Sequence, residues 1–197
     1  LFTPIAIIAA VYAAVLLLKV LQETKKRVLL EKELEIAASI QRSFLPPDQN
    51  KIGEAQLRTF LKPAKLVGGD LYDVIRLDEV TFGIFIGDVS GKGMPAALIM
   101  AQTISLLRVV ARSSRDPAEV LSALNNQLVP LLQGRFVTAQ YVVVHSKDGF
   151  WEGACAGHPA LFYAHRDSDR IEELCESSGA PLGLMSGSTY ATVRRHQ

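Results

Sequence analysis

The chain has 197 residues, room for one domain plus an extension, and 49% of them are hydrophobic, ample for a core. A formal net charge of +1 gives no electrostatic reason to expect nucleic acid as a partner. The two cysteines, Cys155 and Cys175, are too few for a disulfide scaffold and too isolated for a zinc site; Cys155 sits in an apolar run and reads as a small buried hydrophobe.

Residues 1–18, LFTPIAIIAAVYAAVLLL, carry no charge before Lys19. A bilayer span needs about 20 mostly apolar residues, so 1–21 is expected to be a transmembrane helix or the end of one. The absence of a basic start and of a small-residue cleavage site argues against a cleaved signal peptide. Lys25, Lys26 and Arg27 follow, and the positive-inside rule places the rest of the chain in the cytoplasm, at the cell membrane. Residues 22–45 are expected to be a helical linker. Its charged helix, 22–44, has a sparse apolar stripe of Leu29, Ile36 and Ile40. Two readings stand for it: a coiled coil that makes a homodimer, and a connector docked on its own domain. Pro46-Pro47 end it.

The domain proper is expected over 46–197. A polar loop, 48–54, leads to a strand over 55–61. Residues 71–77 alternate apolar and polar positions, and 81–86 (TFGIFI) form a short apolar run. Joined through the turn 77–80, they predict a hairpin. Pro95 opens a helix over 96–112. Asp116-Pro117 caps a second helix, with Val120, Leu121, Leu124 and Leu128 on one face and Gly134 at its end. Strands are expected at 136–145, 150–156, 160–164, 170–174 and 190–195, separated by turn signals such as Lys147-Asp148-Gly149. Strands, two helices, then strands predict an α/β (α+β) layered domain dominated by antiparallel pairing.

The chemistry concentrates in 67–93. Gly68-Gly69-Asp70 precedes the first hairpin strand, and Gly87-Asp88-Val89-Ser90-Gly91 ends the second. Antiparallel pairing puts Asp70 and Asp88 at the same end. Two carboxylates there repel each other unless a cation lies between them. Hard ions such as Mg²⁺ or Mn²⁺ prefer oxygen ligands and keep several waters. The glycines let backbone come close, so a carbonyl just after Asp88 is a further candidate ligand. Asp and Gly also cluster in turns for local reasons, which is the competing account of either motif alone.

VGGDLYD followed by GDVSGKGMPAAL resembles the metal-dependent protein phosphatases, the PPM or type 2C superfamily. The resemblance is to the bacterial branch of the stage II sporulation protein E phosphatase and the stress-response sigma-factor regulators. IQRSFLPP at 40–47, AGHPALFY at 156–163 and GAPLGL at 179–184 agree, in family order, from about residue 35 onward. Diguanylate cyclases also carry Gly-Gly-Asp, but theirs continues Glu-Phe where this chain has Leu71-Tyr72.

The resemblance implies an α-β-β-α sandwich over 46–197. It implies hydrolysis of phosphoserine or phosphothreonine on a regulatory protein of the anti-anti-sigma-factor kind. The attacking group is a metal-activated water, with two Mn²⁺ or Mg²⁺ ions about 3.5–4 Å apart and no phospho-enzyme. Asp70 would ligate one ion, Asp88 would bridge both, and the Val89 carbonyl would help hold the second. Asp73 is expected as a partner behind the ligands or a turn residue. Lys92 either meets substrate phosphate or is solvated. His158 stands as general acid, metal ligand or ordinary loop histidine, and GAPLG as a structural turn. The family carries further metal-binding aspartates late in the domain, whereas 190–197 contains no acid. The domain is therefore expected to be truncated at its C-terminus and poorly active by itself. Input from the membrane region would pass through 22–44 and the paired helices. A non-catalytic interaction module on the same fold is the alternative, and assembly through the membrane segment and helix a third reading.

Overall fold

The computed structural model describes residues 2–46, 56–63, 66–165, 169–174 and 179–196. Pro47, the loop expected over 48–54, Ala55 and Cys175 lie outside the described residues. By its contacts the chain divides into two units, Leu1–Ile40 and Gln41–Gln197.

Helix α1 (Phe2–Phe44) is continuous. No glycine or proline interrupts residues 5–45, and Pro4 falls in the first turn, where its missing N–H costs nothing. At 1.5 Å per residue it is about 65 Å long. Within the first unit Ile5, Ile8, Tyr12, Leu16 and Leu18 are all exposed. The helix is long and apolar enough to cross a membrane, with a mean hydropathy of 2.4 over its most apolar window. Its last turn closes when the Leu45 N–H donates to the Arg42 carbonyl, and Pro46 follows. That turn belongs to the second unit, which begins at Gln41 rather than at 46.

The second unit continues with β1 (Leu71–Arg76), β2 (Thr81–Val89), α2 (Met94–Val110), α3 (Pro117–Leu132), β3 (Val137–His145), β4 (Phe150–Ala156), β5 (Leu161–Ala164), β6 (Ile171–Leu174) and β7 (Val193–His196). Five strands form one antiparallel sheet in the order β1-β2-β3-β4-β7, and β5 and β6 pair as a hairpin. The architecture is α+β with antiparallel sheets, the class that the element order predicts.

Period-two alternation decides what each sheet face meets. Leu71 and Ile75 on β1, Phe85 and Val89 on β2, and Val137 and Tyr141 on β3 face α2 and α3. The helices answer with Met100, Ile104, Leu107, Leu121, Leu124 and Leu128, all buried at helical spacing. On the opposite face of the sheet, Trp151 and Cys155 pack with Leu161, Tyr163 and Leu174 of the β5–β6 hairpin. Cys155 is a free, buried thiol, as its apolar neighbours predict.

Asp116 caps α3, its Oδ1 accepting from Ala118 N (2.8 Å), Glu119 N (3.4 Å) and Thr192 Oγ1 (2.6 Å). Those bonds outweigh desolvation and hold its carboxyl below the usual carboxylate range. The final strand starts at Val193 rather than 190. Before it, the side chains are tied elsewhere, Tyr190 OH donating to the Ala180 carbonyl and Thr192 Oγ1 to Asp116, and the ladder with β4 begins where Val193 meets Gly153.

One expectation fails. Residues 56–61, read from the sequence as a strand, are irregular. A strand exists only where a neighbour completes its backbone bonds, and among the described residues none does so for 56–61.

Candidate metal centre

The β1–β2 hairpin turns through 77–80, where the Thr81 carbonyl accepts from Leu77 N and Asp78 N, and its register pairs Leu71 with Gly87. Extending that register by one step sets Asp70 opposite Asp88, at the end away from the turn. Asp88 is also the cross-strand partner of Thr138 on β3. Both aspartates are exposed, and both line two adjoining cavities. One, of about 280 Å³, is walled by the glycine-rich backbone at 67–69 and 91–93 and by Lys92. The other, of about 550 Å³, is more apolar and runs past Phe60, Tyr72, Ile86 and His158.

The two carboxyls interact. Asp88 is pushed above the ordinary carboxylate range, first by desolvation, then by the negative charge of Asp70 and a hydrogen bond shared with it. The charge of His158 acts in the opposite direction. Two carboxyls this close favour any arrangement that offsets their charge, whether a shared proton or a cation.

Backbone geometry adds an oxygen. The Gly69 carbonyl accepts the Val89 N–H at 3.3 Å. A Cβ built on Gly69 would lie 2.7 Å from the Val89 oxygen, so only glycine lets the two backbones meet here. The donor set of two carboxylates and a nearby carbonyl is all oxygen, and it fits a hard divalent ion that keeps water or substrate oxygens in its remaining positions. Among the described residues no group of three or more His, Cys, Asp or Glu is placed to hold a metal.

Lys92 is exposed and lies between Gly91 (φ 102°) and Gly93 (φ 72°), whose left-handed backbone bends the loop into the smaller cavity. His158 is half-buried. Its Nδ1 lies 3.0 Å from Thr138 Oγ1, and burial lowers its pKa while Asp88 and Asp70 work to raise it. Its turn is held by Gln140, whose Nε2 donates to the Pro159 carbonyl at 2.7 Å, and by Cys155, whose thiol donates to the His158 carbonyl at 3.2 Å. The 179–184 turn lines neither cavity. Gly183 N donates to Asn125 Oδ1 at 2.9 Å, and Leu182 bonds with Val137.

Asp73 requires a correction. Expected as a partner behind the ligands or as a turn residue, it lies within β1 on the face opposite Asp70, 1% exposed, because three residues along a strand reverses the side. There Arg108 of α2 grips it through Nε (2.7 Å to Oδ2) and Nη2 (3.1 Å to Oδ1). It is an ion pair of the core, not a part of the site.

Two contacts had no signal in spacing or composition. Thr138 orients His158, and Gln41 binds the backbone of Gly68 through both ends of its amide. Both are long-range pairings that only the fold creates.

Comparison with known proteins places these features. The sequence model described as stage II sporulation protein E (SpoIIE) matches residues 78–196. Phosphoserine phosphatase RsbU of Bacillus subtilis (strain 168) is 28% identical over 169 residues, covering 85% of this chain and 50% of RsbU. The SiaA-PP2C domain of Pseudomonas aeruginosa superposes with a TM-score of 0.74 at 24% identity, over 86% of this chain and 68% of that one. RsbX in complex with magnesium shares the fold, with a TM-score of 0.52 at 17% identity over 68% of this chain and 62% of that one. The chain spans half the length of RsbU.

Proposed function

We propose a function from one premise: the chain belongs to the stage II sporulation protein E family. It is the site-bearing part of a metal-dependent protein serine/threonine phosphatase. The observation that carries this reading is the placement of Asp70 opposite Asp88, both on the same cavities and in mutual repulsion. Asp70 and Asp88 hold divalent cations, Mg²⁺ or Mn²⁺, with the Val89 carbonyl as a further ligand. The magnesium in the RsbX complex supports that choice of ion. Cations bound there supply charge neutralisation at the phosphoryl group and a water acidic enough to attack at neutral pH.

The residues around them do the rest. Lys92 donates to phosphate oxygens from the floor of the glycine-walled cavity and fixes the phosphoryl group over the carboxylates. The glycines at 91 and 93 keep side chains out of its way. Thr138 fixes the orientation of His158, whose imidazole borders the apolar cavity on the side where the protein part of a substrate would lie. Neither cysteine has a role, which agrees with the burial that pushes the Cys155 thiol up.

The substrate class is a phosphoserine or phosphothreonine protein. A small regulatory protein of the anti-anti-sigma kind is what the family resemblance implies, and the likeness to phosphoserine phosphatase RsbU supports a phosphoserine substrate. Helix α1 anchors the chain in the cell membrane, and Lys25, Lys26 and Arg27 keep the domain on the cytoplasmic side. Its charged half, 22–44, joins two copies and carries the input from outside the domain.

The test is hydrolysis of a synthetic phosphoserine peptide by the full-length protein. Turnover should require Mn²⁺ or Mg²⁺, vanish in EDTA, and fall more than about 100-fold in Asp88→Asn. Turnover that is independent of Asp88 would overturn the metal-site reading, and no turnover alongside tight binding of the phosphopeptide would favour a non-catalytic docking module.

A further inference from the structure

We propose that Gln41 is a positioning residue for Asp70, a role that rests on the metal-site reading above. Gln41 lies in the last turn of α1 and belongs to the second unit. Its amide engages both backbone groups of Gly68. Nε2 donates to the Gly68 carbonyl at 2.6 Å, and the Gly68 N–H donates to Oε1 at 3.2 Å. Two bonds from one planar group tie the peptide planes on both sides of the Gly68 Cα and so restrain its φ and ψ.

Gly68 needs that restraint. Two glycines in succession precede Asp70, and no other residue type leaves the backbone so free. On one side Gly69 is held by β2, its carbonyl accepting the Val89 N–H at 3.3 Å. On the other, Gly68 is held by Gln41. Beyond Asp70 the ladder begins with Leu71 opposite Gly87. Asp70 is thus suspended between a paired strand and a glycine pair clamped from outside the sheet.

A second tie runs parallel to the first. The Phe44 carbonyl, also in the last turn of α1, accepts from Arg108 Nη2 at 2.7 Å. The same guanidinium holds Asp73. The end of α1 is therefore fastened to the chain on both sides of Asp70, at Gly68 directly and at Asp73 through Arg108. Loss of the Gln41 amide frees the glycine pair, lets Asp70 drift from Asp88, and weakens the cation site. The apolar core does not include Gln41, so the fold should persist.

The experiment titrates the full-length protein with Mn²⁺ alone and counts the free ion by electron paramagnetic resonance, without substrate. Gln41→Met keeps the length of the side chain and removes the amide. It should raise the Mn²⁺ dissociation constant about tenfold, the size seen when residues that orient metal ligands are removed. Its unfolding midpoint in EDTA should stay at the wild-type value, and hydrogen exchange at 66–70 should quicken. Gln41→Asn, with the amide one methylene too short, is an independent second variant with the same expected loss. Wild-type Mn²⁺ affinity in either folded variant overturns the role, and so does a loss that merely tracks the fraction unfolded. A wild-type protein that binds no Mn²⁺, or binds it equally well as Asp70→Asn, overturns the metal-site reading itself and this inference with it.

Discussion

Asp70 and Asp73 stand three residues apart at the start of one hairpin, and the fold treats their charges in opposite ways. Asp73 points into the helix layer, is 1% exposed, and is neutralised by a two-pronged Arg108. Asp70 points to the other side, lies in the open, and faces another carboxylate, Asp88. The first arrangement spends its charge on holding a strand to a helix. The second leaves two carboxyls facing each other in the open, the arrangement on which the metal-site proposal rests. An acidic residue in a sequence has no meaning until its face is known.

The sharpest way to break this contrast is to make the same substitution on both sides. Asp88→Asn should reduce peptide dephosphorylation more than about 100-fold, yet leave the metal-free protein no less stable. The sign follows from linkage. A carboxyl whose folded-state pKa is raised is disfavoured as the anion, so at neutral pH it costs stability, and the neutral amide removes that cost. Urea unfolding in EDTA measures it; marked destabilisation would show that Asp88 is structural.

Arg108→Met should do the reverse. It leaves Asp73 buried without a partner and should cost roughly 3 kcal/mol, the lower end for a broken buried pair because Arg108 itself is partly exposed. Its residual activity, corrected for the folded fraction, should fall much less than that of Asp88→Asn.

Gly69→Ala probes the boundary between the two sides. Its Cβ would meet backbone, the Val89 oxygen, and backbone cannot step aside as a side chain can. A loss of about 1–3 kcal/mol is expected, with weaker Mn²⁺ binding besides.

Asp116→Ala, far from both carboxylates, calibrates the scale. Removing the α3 cap should cost about 1 kcal/mol at neutral pH, with no change in metal affinity. Because the folded-state pKa of Asp116 is lowered, its contribution is fully present above the unfolded value of about 3.9. It is lost as pH falls through the folded value, so wild type and variant should converge in acid.

The helices, the hairpin and most strands were legible because each rests on local rules. Asp116-Pro117 announces a helix start whatever surrounds it, and α3 begins there. Alternation along 71–76 predicts which side chains go inward, and they do. The strand expected over 55–61 is absent at 56–61 because local composition can suit a strand without supplying the neighbour that a strand needs. Alternation sets Asp73 on the same face as Leu71 and Ile75, but its partner Arg108 lies 35 residues away and leaves no local trace. Gln41 and Thr138 gave no signal, since their partners lie 27 and 20 residues away.

By itself the amino-acid sequence determined the element types, the turn that sets the hairpin register, and therefore the meeting of Asp70 with Asp88, all consequences of neighbours along the chain. The tertiary structure alone decided that Arg108 would neutralise Asp73, that the end of α1 would grip Gly68, and that Thr138 would orient His158. These are encounters between distant segments, and their geometry is set by how helices and sheet pack, which no local pattern encodes.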